Sequence, residues 1–150
     1  AALEIIKKAK ENNVSLILPI DSVNSTSFND QSASSVSEIN KIPVNEMGLD
    51  IGPKSIDFFS KEILSSKTIL WNGPMGVFEF SNFSEGTLSV GKSICESTEK
   101  GAFSLVGGGD SIAAIKKFNL TNGISYISTG GGAMLEYLEG KELPALKALL

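Results

Sequence analysis

The chain has 150 residues, 13 of them lysine and 17 aspartate or glutamate, with no histidine or arginine and a formal charge of −4. That length suits one domain with a real core, and scattered lysines on a net acidic chain argue against a nucleic-acid surface. One cysteine, Cys95, excludes a disulfide framework and a cysteine-rich metal site. No apolar run approaches the roughly 18 residues that span a bilayer, and no signal-peptide pattern is visible. The expected setting is soluble, reducing and cytoplasmic. Without histidine, imidazole-dependent triads are excluded. Without arginine there is no bidentate clamp for phosphate. Any ligand must be met by backbone amides, lysines, carboxylates and hydroxyls.

Ala1 to Lys10 reads as helix, with Leu3, Ile6 and Ala9 near helical spacing. No capping residue precedes it, which suggests a piece of a longer chain. Val14 to Ile20 is an apolar run expected to form a buried strand. Asp21 to Lys41, rich in serine and asparagine, is expected to be a surface loop with one or two short antiparallel strands. A turn at Gly52-Pro53 leads into helical spacing from Ser55 to Leu64. Strands and helices then alternate: strand Lys67–Trp71, helix Gly86–Glu99, strand Ala102–Val106, helix Ser111–Phe118, strand Ile124–Ser128, helix Ala133–Glu139 and a last helix Leu143–Leu150. This alternation predicts an α/β fold with a parallel sheet covered on both faces.

Each of the last three strands ends in glycine: Asn72-Gly73-Pro74, Gly107-Gly108-Gly109-Asp110 and Thr129-Gly130-Gly131-Gly132. Ligands of open α/β sheets bind beyond such carboxyl ends. A helix start offers free amides and partial positive charge to phosphate, and glycine lets the backbone approach closely. One triple-glycine turn is equally well a tight connection; two on neighbouring strands point to a polyphosphate cradle. Neither turn is a Walker A or dinucleotide fingerprint. Asp110 fits two roles, a helix N-cap and a magnesium ligand beside phosphate. Ser111 is either a phosphate donor or an ordinary first-turn serine. Glu79 is either a sugar-hydroxyl acceptor or an exposed glutamate. Trp71 and Phe78 read as packing residues.

The segment Trp71-Asn-Gly-Pro-Met-Gly-Val-Phe-Glu79 resembles a signature of the phosphoglycerate kinase family. So do Gly107-Gly-Gly-Asp110-Ser111 and Ser128-Thr-Gly-Gly-Gly-Ala-Met-Leu-Glu136. Leu18-Pro-Ile-Asp21, Asp50-Ile-Gly-Pro53 and Leu138-Glu-Gly-Lys-Glu-Leu-Pro144 match in the family's order, so the likeness runs almost end to end. It implies a Rossmann-like, three-layer nucleotide-binding domain, cut short at its N-terminal side, in residues 1–150. It also implies phosphoryl transfer from 1,3-bisphosphoglycerate to ADP in glycolysis, with Mg²⁺ as cofactor. By position, Gly48, Leu49, Pro74 and Val77 match the adenine wall, and Asn72 lies near the phosphates. Glu79 matches the ribose carboxylate, Asp110 the magnesium ligand, and Gly107, Gly108, Gly109 and Ser111 the phosphate contacts. Gly109, Gly130, Gly131 and Gly132 match the amides that act on the group in flight.

Two departures stand out. Ser111 occupies a position where the family usually has threonine, which keeps the hydroxyl. The stretch Ser22–Asn29 is more polar than the family's usual continuation. The N-terminal substrate domain, which would bind 3-phosphoglycerate, has no counterpart here, nor does the start of the nucleotide domain with its phosphoryl-contacting lysine. The chain alone is therefore expected to bind ADP or ATP weakly and to be inactive. The competing expectation is a non-catalytic interaction or structural module with an empty site. Two strands that would separate Val14–Ile20 from Lys67–Trp71 are also missing, so an open edge, a rearranged sheet or self-association is expected. The intact enzyme is expected to be a monomer.

Overall fold

The computed structural model describes residues 1–149. Its helices are α1 (Ala2–Glu11), α2 (Pro53–Ser65), α3 (Glu85–Glu99), α4 (Gly109–Lys117), α5 (Gly131–Leu138) and α6 (Pro144–Lys147). Its strands are β1 (Asp21–Ser25), β2 (Ser35–Glu38), β3 (Met47–Ile51), β4 (Thr68–Trp71), β5 (Phe103–Gly107) and β6 (Tyr126–Ser128). Position 150, the end of the expected last helix, lies outside the described residues.

Two three-stranded sheets form. One is antiparallel in the order β2-β1-β3; the other is parallel in the order β4-β5-β6. In the parallel sheet Leu70 pairs with Leu105, and Leu105 with Tyr126. Ile69, Trp71 and Val106 point the other way, into the core with Ile51, Val90, Ile94, Ala102 and Ile115. Burial of such apolar surface supplies the main driving force for this layer. Helix α3 is the centrepiece of that core, and its Val90 and Ile94 are 3% and 1% exposed. Leu70, Phe103 and Tyr126, on the opposite face, are exposed. The helical cover expected on both faces is therefore continuous only on the α3 side.

Val14 to Ile20 is not a strand. Val14, Leu16, Leu18 and Ile20 are all exposed, and the segment has no ladder partner among the described residues. A strand exists only through its neighbours' N–H and C=O groups. Here an apolar groove of about 280 Å³, lined by Ile17, Phe59, Ile63, Leu70 and Met75 among others, separates the segment from β4. The short antiparallel strands expected within Asp21–Lys41 are β1 and β2, but their surface placement needs correction, because β1 is the central strand with Ser22, Asn24 and Ser25 buried. Their polar atoms are satisfied internally. The Ser22 hydroxyl donates to Asn24 Oδ1 at 2.6 Å, and Asn24 Nδ2 donates to Ser37 Oγ at 2.9 Å.

Candidate functional site

Parallel pairing of β4, β5 and β6 carries all three glycine-bearing strand ends to one edge of the sheet. The last two turns touch through their backbones. A Cβ at Gly131 would lie 2.6 Å from the Gly108 amide nitrogen and 2.9 Å from its Cα. Only glycine permits that approach. Gly108 sits at φ +90°, and a Cβ there would lie 2.7 Å from Asn72 Oδ1, so Asn72 is the neighbour from the first turn. Gly109, Gly130 and Gly132 face open space. Helices α4 and α5 both begin here, and neither has a side-chain cap hydrogen bond. Their first amides are therefore free of side-chain acceptors at an electropositive end.

Asp110 is exposed in the first turn of α4, but the N-cap is Gly108. The capping role open from the sequence is thus not the one Asp110 fills. No group of three or more aspartate, glutamate or cysteine side chains gathers into a metal site among the described residues. A single exposed carboxylate at an anion-attracting turn fits Mg²⁺ only where phosphate oxygens and water complete its shell, and Mg²⁺ is commonly held that way. Ser111 is 1% exposed, and its Oγ accepts the Gly73 amide at 2.7 Å. It ties the first glycine turn to α4 and keeps one proton to donate.

Gly48, Leu49, Pro74 and Val77 line one cavity of about 400 Å³. The Val77 amide donates to the Leu49 carbonyl at 2.8 Å, which fixes one wall to the other. Asn72, Glu79 and the two triple-glycine turns are not among that cavity's lining residues. Glu79 is exposed, two residues beyond Val77 on the same loop.

Asp50 and Asp21 lie in motifs the sequence offers, but their part in holding this loop and α2 is not read there. Asp50 is 5% exposed at the end of β3. Its Oδ2 accepts the Gly86 amide at 2.7 Å, and its Oδ1 the Ile51 amide at 2.8 Å. The carboxyl also fills the space beneath Gly76, where a side chain would overlap it and come within 2.6 Å of the Leu49 carbonyl oxygen. Burial pushes the Asp50 carboxyl up to about 6; the two amides oppose this and Glu85 adds to it. Thr87, wholly buried, accepts the Met75 amide at 3.1 Å. Asp21 plays the corresponding part below α2. It accepts the Ser55 amide at 2.8 Å, the Lys54 amide at 3.0 Å and the Ser55 hydroxyl at 2.6 Å. Burial raises its pKa, but the Ser55 hydroxyl, those amides and the Lys54 charge together hold it below the ordinary value. Pro53 at the start of α2 suits a helix whose first amides are taken by a distant carboxylate. The spacing Asp21 to Ser55 spans 34 residues, so no local pattern announces it.

Known proteins share this fold. The family model described as phosphoglycerate kinase matches residues 1–141. The chain belongs to the phosphoglycerate kinase family. A phosphoglycerate kinase of Porphyromonas gingivalis is 55% identical over 148 residues, covering 99% of this chain and 35% of that protein. One from Chlorobium phaeobacteroides is 50% identical over 148 residues, covering 99% of this chain and 37% of the relative. The solved structure of phosphoglycerate kinase from Coxiella burnetii superposes with a TM-score of 0.91 at 45% identity, over 97% of this chain and 37% of that one. The structure from Pyrococcus horikoshii OT3 gives 0.76 at 35% identity, over 99% and 36%. The fold is thus the Rossmann-like α/β fold of phosphoglycerate kinases, and the chain spans about a third of the length of the curated relatives it matches.

Proposed function

We propose that this chain supplies the Mg-ADP/ATP half of a phosphoryl transfer from 1,3-bisphosphoglycerate to ADP, a glycolytic and cytoplasmic reaction. The observation that carries the reading is the contact of Gly131 with Gly108, which sets two uncapped helix starts side by side. On this reading Gly107 to Gly109 line the nucleotide phosphates with Asn72 and Ser111. The amides of Gly109 and of Gly130 to Gly132 face the group being transferred. Phosphoryl transfer needs little covalent help from a protein; it needs in-line placement and fixed donors where charge accumulates. Asp110 would hold Mg²⁺, which when bound neutralises charge on the phosphate oxygens. Gly48, Leu49, Pro74 and Val77 bound the base, and Glu79 accepts from ribose hydroxyls.

The 3-phosphoglycerate site lies on this reading in the part of a full-length relative that the chain does not span, so the chain alone binds nucleotide without turnover. The free edge of β4 and the exposed face of Leu70, Phe103 and Tyr126 favour its self-association. Calorimetric titration with Mg-ADP tests the assignment. Saturable, magnesium-dependent heat that Asp110→Ala weakens is expected; equal titrations of the two proteins would remove Asp110 from the site.

A further inference from the structure

Resting on that nucleotide reading, we propose that Lys117 is a positioning residue for Glu79, and that α4 acts as a splint for the whole loop from Gly73 to Glu79. The Lys117 Nζ donates to the Phe78 carbonyl at 2.8 Å and to the Glu79 carbonyl at 2.9 Å. At the other end of the same helix, Ser111 Oγ accepts the Gly73 amide at 2.7 Å. The loop is therefore fastened at its first and last residues to one helix. Ser111 and Lys117 are six residues apart, about 9 Å along a helix axis at roughly 1.5 Å per residue. The helix that carries Asp110 in its first turn thus also fixes where the Glu79 backbone lies.

The residues just beyond Glu79 are held from another side. Phe28 packs on Phe80 with ring centroids 5.0 Å apart. Asp30 accepts from the Ser81 hydroxyl at 3.0 Å and from the Asn82 amide at 3.1 Å. Glu79 itself is exposed. Its backbone is fixed between these two anchors while its side chain stays free to meet a ligand. Without the ammonium, two adjacent carbonyls lose their charged donor, and the stretch between the Val77–Leu49 hydrogen bond and the Asp30 contacts loses its tie to α4. The loss should fall on the ribose contact and spare the phosphate contacts.

Three probes separate these possibilities on the full chain: Mg-ADP, Mg-2′,3′-dideoxy-ADP and Mg-pyrophosphate, each titrated calorimetrically. Lys117→Met should weaken ADP about tenfold, as expected for a lost charged donor pair. It should leave pyrophosphate unchanged and change dideoxy-ADP less than about twofold, since that probe cannot report on the ribose contact. Lys117→Arg, which keeps charge and donors, should restore ADP binding to within about threefold. The inference is overturned if Lys117→Met leaves ADP binding intact, if it weakens ADP and dideoxy-ADP equally, or if arginine fails to rescue. Wild-type chain that binds none of the three probes would overturn the nucleotide reading itself, and this inference with it.

Discussion

Asp50→Asn should abolish a specific pH dependence of stability. In the folded chain burial moves this carboxyl from 3.8 to about 6, so the native state binds its proton more tightly than the unfolded state does. The stabilisation from protonation is complete below the unfolded value and is lost as the pH rises through about 6. Between pH 7.5 and 4.5 these two values correspond to a gain of about 2 kcal/mol on acidification. Asparagine cannot titrate, so the variant lacks this gain. It also cannot accept both the Gly86 and Ile51 amides, and one unpaired amide costs roughly 1–3 kcal/mol. That second effect shifts the variant's stability at every pH without changing the slope. Urea unfolding of both proteins at four pH values in that window gives the difference directly. Asp21 and Asp30 are held below their ordinary values, so they titrate under the window and cancel in the subtraction. Parallel stability profiles, or a wild type that loses ground relative to the variant on acidification, would refute the reasoning.

Gly131→Ala should separate the two triple-glycine turns, because its Cβ meets Gly108 backbone rather than a movable side chain. Nucleotide binding should fall at least about tenfold, whereas Gly132→Ala, which meets nothing within 4 Å, should fold normally. Equal affinities for Gly131→Ala and wild type in the same calorimetric assay would count against the paired-turn geometry. Asp21→Ala should lower unfolding free energy by about 3 kcal/mol by stripping the α2 amides and Ser55 of a buried acceptor. In wild type the part of that contribution owed to the ionised carboxylate should be present above pH 3.8 and fade as the pH falls below it, which acid unfolding of both proteins can follow.

What could be read from the chain depended on how locally each feature is encoded. From residue 67 onward, strands and helices alternate with glycine or proline at the joints, and β4, β5, β6 and α3 to α5 fall within a few residues of their expected places. Trp71 and Phe78 are core residues, each 5% exposed, as their type suggests. The antiparallel sheet was legible only in part, as short antiparallel strands within Asp21–Lys41. In β1 the sequence Asp-Ser-Val-Asn-Ser has the composition of a loop, and only its cross-strand hydrogen bonds make it a buried strand. β3 has no alternation, with two exposed residues followed by three buried ones. Val14–Ile20 has strand chemistry but no neighbour to complete a ladder. At the site, glycine runs announced the turns. The supports at Asp50, Thr87 and Lys117 act on backbone amides and carbonyls far away in the chain, and such partners leave no trace in spacing.

The decisive measurement is a titration of ¹⁵N-labelled chain with Mg-ADP, followed amide by amide. The account predicts that the largest saturable shifts fall on Gly108, Gly109, Gly131 and Gly132, with smaller ones at Gly48, Val77 and Glu79. Saturable shifts confined to other parts of the chain, or no shifts at millimolar ligand, would contradict it.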